Sequence, residues 1–175
     1  MMVDSPYDWY AMGEYAMRTR PPKVLVAGLG LTLVDQHLAL RKDIVKIKIV
    51  ELNEEVIEMV APHLPKDERF EVVHGDFFEV LPQLAAGGEE YDTIIMDIWT
   101  GEDSESLPDF RKAVALVQKH YPKALHLYHS FQKAMDTEIV NSHLPHEAEG
   151  PVSFVPKRYS VEELRRRQAA KKQPD

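Results

Sequence analysis

The fold is decided by the run Lys23-Val24-Leu25-Val26-Ala27-Gly28-Leu29-Gly30. Lys23 to Ala27 reads as a buried strand that runs straight into a glycine turn, and Thr32 to Lys42 has the length and composition of a helix. Gly28 and Gly30 let the backbone approach a ligand where a side chain would collide, and the helix that follows presents free amides. The unit is therefore strand, glycine turn, helix.

Working outward, the same unit recurs in kind though not in sequence. Val45 to Glu51 is a β-branched strand, followed by an amphipathic helix from Asn53 to Ala61 that Pro62 and Pro65 end. Phe70 to His74 is a third strand, leading through Gly75-Asp76 into a helix from about Phe77 to Ala86 that Gly87-Gly88 closes. Tyr91 to Asp97 is an apolar strand ending on an acid. A loop spans Trp99 to Pro108, a helix runs from about Asp109 to Tyr121, and Lys123 to His129 is a fifth strand. Strands alternating with helices predict a mostly parallel sheet with helices on both faces, a three-layer Rossmann-like α/β fold. Before it, Tyr7 to Arg20 is a short helix laid on the domain, stopped by Pro21-Pro22. After it we expect a helix near Gln132 to Leu144, one short strand at Val152 to Val155, and a last helix from Val161 to about Lys172. That helix opens with the capping box Ser160-Val161-Glu162-Glu163. The division expected is an N-terminal helical segment (1–21), one Rossmann-like domain with a shortened C-terminal part (22–156) and a basic C-terminal helix (157–175).

Composition agrees with one compact domain: of 175 residues, 44% are hydrophobic and 29% charged, far from a disordered chain. The net charge of −8 argues against a body that binds polyphosphate through a general positive field. Seven basic and three acidic side chains lie between Lys157 and Asp175, so the rest is strongly acidic. Nucleic-acid binding is not expected apart from a contact by that tail, whose ordinary reading is a solvated helix face. With no cysteine, disulfides, thiolate metal sites and cysteine nucleophiles are excluded. Met1 to Pro6 lacks a signal-peptide pattern and no window reaches the apolar length of a membrane span, so a soluble, cytoplasmic chain is expected.

In an open parallel sheet the ligand lies beyond the carboxyl ends of the strands, so the residues found there carry the chemistry. They are Gly28 and Gly30, then Glu51, Asp76, Asp97 and Ser130. Glu51 sits about twenty residues past the glycines, where a carboxylate can accept both hydroxyls of a ribose. Asp76 can take a hydrogen bond from an exocyclic amine, and Phe77 or Phe78 can cover an aromatic base. Leu33 stands where a dinucleotide fingerprint wants its third glycine, which favours a mononucleoside over a dinucleotide. Solvated acids at ordinary loop starts are the alternative.

The runs Val24 to Gly30, Val50 to Ile57, Val72 to Leu81 and Tyr91 to Asp97 resemble the class I S-adenosylmethionine-dependent methyltransferase superfamily, and within it spermidine synthases and their methyltransferase-like relatives. The likeness covers about residues 22 to 130. It implies S-adenosylmethionine, or its decarboxylated form, as cofactor. Gly28 and Gly30 would flank the methionine moiety, Glu51 the ribose, and Asp76 with Phe77 the adenine. Asp97 would orient or deprotonate a small-molecule acceptor, with Trp99 laying an aromatic face near the sulfonium. Departures accompany it: Leu31 replaces the acid of a spermidine synthase turn, Val26 the acid many methyltransferases place before the glycines, and Asn53 a frequent aspartate. Methyl transfer to a small, cationic acceptor is therefore the first expectation. Aminopropyl transfer and a non-catalytic binding module are the alternatives. Glu102, Asp103 and Glu105 favour a cation or are merely solvated. For Met12, Met17 and the N-terminal aromatics, packing on the sheet is the default expectation, with a lid over the pocket or a homodimer contact as the alternatives. No metal site is expected: His126 and His129 point to opposite faces of a strand, His74 reads as a wall or core residue, and His143 and His146 as solvent-facing.

Overall fold

A computed structural model describes residues 6–99, 106–129, 131 and 157–171. The expected helix at 132–144, the strand at 152–155, His143, His146 and the acids of the 102–105 loop lie outside the described residues.

Six strands are described: β1 (Lys23–Ala27), β2 (Lys46–Glu51), β3 (Phe70–His74), β4 (Thr93–Met96), β5 (Leu125–Tyr128) and β6 (Lys157–Ser160). They lie in the order β5-β4-β1-β2-β3-β6, with β1 to β5 parallel and β6 antiparallel on the free edge of β3. The chain builds outward from β1 through β2 to β3, then returns to the other side of β1 for β4 and β5. Strand order thus reverses between β1 and β4, which opens a crevice beyond their carboxyl ends.

Alternation along the strands divides the core into two layers. Val24, Val26, Ile47, Ile49, Val72 and Ile95 meet the helices α1 (Pro6–Arg18), α2 (Leu33–Ala39), α3 (Glu54–Val60) and α6 (Val161–Lys171). Leu25, Val50, Val73, Ile94 and Met96 meet α4 (Phe77–Ala86) and α5 (Leu107–His120). Both faces of the sheet are covered, as a parallel sheet requires. The central strands are accordingly apolar almost throughout.

Lys48 breaks that pattern from the middle of β2. Its side chain is wholly buried, and the ammonium is paired with Glu89 at 2.6 Å and Glu71 at 3.2 Å. Tyr91 also donates to Glu89, at 2.9 Å. Burial pushes the Glu89 carboxyl up, but hydrogen bonds from Lys48, Tyr91 and Lys46 and the Lys48 charge outweigh it and hold the group at about 2.

β4 and β5 are shorter than read, and two further elements differ from the sequence reading. The helix expected over Thr32 to Lys42 covers only Leu33 to Ala39: Thr32 is left-handed (φ 65°) and stands before it as N-cap, and at the far end the amides of Leu40 and Arg41 turn to the i−3 carbonyls of His37 and Leu38. The C-terminal segment begins with β6, a strand not expected at 157–160, before α6 starts at Val161 as read. Val161 and Leu164 enter the core, and Arg165 donates to the carbonyls of Pro62 and Leu64. Arg166 pairs with Glu162 and Arg167 with Glu163, so these three arginines are all engaged within the fold. Ser160 Oγ accepts from the amide of Glu163 at 3.1 Å, the expected cap. No described helix is long and apolar enough to cross a membrane.

Candidate functional site

The two glycines of the turn have different physical reasons. Gly28 has φ 91°, and a Cβ there would lie 2.2 Å from the backbone oxygen of Asp97, so the end of β4 itself excludes a side chain. Gly30 has φ 49° and only open space where a Cβ would project. Gly28 therefore joins β1 to β4, while Gly30 leaves backbone bare on the cleft.

Glu51 bridges this turn to the next one. Its Oε2 accepts from the amide of Leu29 at 2.8 Å, and its Oε1 from the amide of Asn53 at 2.9 Å. A carboxylate has about four lone-pair sites, so roughly two remain for a ligand diol. Asn53 caps α3 by accepting from the amides of Glu55 and Val56. Asp76 caps α4, its Oδ1 accepting from Phe78 N at 2.8 Å. Each acid at a strand end thus has a local structural task, which fixes its direction toward the cleft.

Asp97 follows β4 and His129 follows β5. Register pairs Met96 with Tyr128, so the next two residues stand side by side, and His129 Nδ1 lies 2.7 Å from Asp97 Oδ1. Trp99 Nε1 donates to the carbonyl of His129 at 2.6 Å, and its ring packs edge-on to Phe110 and Phe131. The indole is held by the aromatic core and lines the cleft.

These groups line one cleft of about 780 Å³. Of the residues named from the sequence, Gly28, Gly30, Glu51, Asp76, Phe77, Phe78, Asp97 and Trp99 lie on its wall, and Ser130 lies outside the described residues. Phe77 is mostly core at 3% exposed, whereas Phe78 offers more surface and carries Lys112 Nζ 4.2 Å above its ring. Helix α1 supplies Asp8 and Met12 as a further wall. It is fixed there by Tyr15 Oη donating to the Tyr128 carbonyl and by Arg41 donating to the carbonyls of Ala16 and Thr19. Among the described residues no group of three or more potential ligands gathers to hold a metal. His126 instead bonds the Tyr121 carbonyl.

Sequence reading passed over two groups. His129 was set aside with His126, although a residue following β5 beside one following β4 is a neighbour in any parallel pair. Asp35, in the first turn of α2, is completely buried, and neither of its carboxyl oxygens has a hydrogen-bond partner. Burial, and then the charge of Asp97, push it up to about 8. Its signal was the spacing to Leu38, which places it on the apolar stripe of the helix.

No family model matches the chain. Polyamine aminopropyltransferase 1 of Hyperthermus butylicus is 31% identical over 85 residues, covering 45% of this chain; the chain spans 29% of that protein's length. Human methyltransferase-like protein 13 in complex with SAH superposes with a TM-score of 0.51 at 22% identity, covering 68% of this chain and 62% of that one. Precorrin 8W decarboxylase of Methanobacterium thermoautotrophicum gives 0.54 at 15% identity, covering 80% and 72%. At such identities the likeness is one of fold: the chain has the Rossmann-like α/β fold that it shares with these two structures, as its strand motifs led us to expect.

Proposed function

We propose that this chain, built on the methyltransferase fold, binds S-adenosylmethionine across the glycine turn and passes its methyl group to a small, cationic acceptor. The observation that carries this reading is Glu51: a carboxylate locked by two backbone amides, facing bare Gly30 backbone in a cleft of nucleoside size.

Bound there, S-adenosylmethionine supplies an electrophilic methyl carbon on a positively charged sulfur. Glu51 accepts from the ribose hydroxyls with the lone pairs its amides leave open. Asp76 accepts from the exocyclic amine of the base while its other oxygen caps α4, and Phe77 and Phe78 give the base an aromatic wall. Asp97 orients the acceptor and takes the proton it loses as the new bond to carbon forms and the bond to sulfur breaks. His129 steadies that carboxylate. Trp99 lies beside the developing reaction, where an aromatic surface favours positive charge. Alignment supplies much of the acceleration in such a transfer, and every group named here is fixed by backbone or core contacts. Asp8, Asp97 and Asp109 on the wall favour an acceptor that is itself cationic. The cysteine-free composition suits a reducing, cytoplasmic setting.

The test is binding of S-adenosylmethionine and S-adenosylhomocysteine by calorimetry, then methyl transfer to candidate amines. Transfer lost in Asp97→Ala with folding intact supports the reading; no binding at millimolar ligand ends it. A second reading, aminopropyl transfer, is favoured by the aminopropyltransferase likeness together with the acidic wall. Turnover of decarboxylated S-adenosylmethionine with putrescine would establish it.

A further inference from the structure

Asp35 is a carboxyl with no place in the steps above. It is fully buried, both oxygens lack a hydrogen-bond partner, and among the described residues the charge that acts on it is that of another acid, Asp97. A buried polar group left unpaired destabilises a fold, so one retained against a ligand cleft calls for a reason. Its neighbour Val34 lines the cleft, and Asp97 on the cleft wall is the charge that acts on it. Asp97 already has His129 at 2.7 Å. Asp35, next to the cleft-lining Val34, has no such partner among the described residues.

We propose that the cleft takes its positively charged ligand with release of one proton, and that this proton leaves Asp35. In the empty cleft Asp35 keeps its proton at neutral pH, because burial and Asp97 both oppose its charge. A cation arriving near Asp97 offsets that charge across a poorly screened interior, and Asp35 then ionises. On the elements packed beside it the ionisable groups are Asp8, Tyr10, Glu14, Tyr15 and Arg18 of α1, His37 of α2, Asp97 after β4 and His129 after β5. Of these, Asp97 is the one that displaces Asp35. His37 is engaged by the Trp9 carbonyl.

This rests on the reading of the cleft as a donor site, and the ligand pair is chosen to separate the two. S-adenosylmethionine and S-adenosylhomocysteine differ by one methyl group and one positive charge. Both are titrated calorimetrically into the full chain at pH 7, in two buffers with different heats of ionisation, which reads protons released per ligand bound. S-adenosylmethionine should release up to about one proton more than S-adenosylhomocysteine, and its advantage in affinity should grow by up to about tenfold per pH unit between pH 6 and 8. Asp35→Asn, which keeps the shape of the neutral acid, should remove the extra proton and flatten that dependence. Equal proton release by the two ligands overturns the proposal while leaving the donor site standing. So does extra release that persists in Asp35→Asn, since another group then supplies it. If neither ligand binds, the donor-site reading falls and this proposal falls with it. The wild-type comparison of the two ligands needs no variant to fold.

Discussion

His129 Nδ1 stands 2.7 Å from Asp97 Oδ1 because Met96 and Tyr128 are paired in adjacent parallel strands. The contact is set by strand register. Asp97→Asn is expected to lower methyl transfer by about 100-fold or more, the usual worth of a positioned base, and His129→Gln by a smaller factor. Single-turnover rates measured beside unchanged melting curves check this. A His129→Gln rate equal to that of the parent would show that the pair is only structural.

The glycines should separate folding from binding. Gly28→Ala places a methyl on the Asp97 carbonyl, so a drop of several degrees in melting temperature is expected, or failure to fold. Gly30→Ala meets no atom and bears only the strain of φ 49°, about 1 kcal/mol, yet its methyl enters the cleft. Thermal melts and S-adenosylhomocysteine affinity on the two variants should rank them oppositely.

Asp35 ties stability to pH in an unusual direction. Its folded value, about 8, lies above the ordinary carboxylate value of 3.8, so the folded state holds a proton that the unfolded chain has lost. The contribution is fully present below pH 4 and declines as pH rises toward 8. Urea melts at pH 5 and pH 8 should show the parent losing stability over that window more steeply than Asp35→Asn does, with the variant the more stable at pH 8.

Glu89 acts in the opposite sense. Held at about 2 against an ordinary 4.5, it contributes stability above pH 4.5 that disappears as pH falls toward 2. Removing its partner should be worse than removing the charge pair: Lys48→Ala leaves Glu71 and Glu89 without their buried cation and is expected to cost about 3 to 5 kcal/mol. Lys48→Met combined with Glu89→Gln should recover part of that loss in denaturant titrations.

The alternation of strand and helix, the boundaries of β1 and β3, and the acids at the strand ends were legible from residues 23 to 97 because parallel strands buried on both faces are almost unbroken apolar runs. The same rule hid Lys48, whose burial depends on Glu71 from a neighbouring strand and Glu89 from a distant loop. β6 escaped for a related reason: Lys157 to Ser160 is polar, and only the free edge of β3 makes it a strand. At the site, glycines and carboxylates carried local signals, whereas the Asp97 and His129 pair exists only once strand order is known. Asp35 was visible as an acid on an apolar stripe, but its meaning required knowing that nothing pairs with it.

The claim on which the account depends is that Glu51 holds a ribose in the cleft. Calorimetric titration of S-adenosylhomocysteine into the parent chain and into Glu51→Ala tests it directly. The account predicts saturable binding in the parent and a loss of at least about tenfold in affinity in the variant, since a charge-assisted hydrogen bond contributes roughly 1.5 to 3 kcal/mol. Binding of equal strength in a folded Glu51→Ala, or no binding to the parent at millimolar ligand, would contradict it.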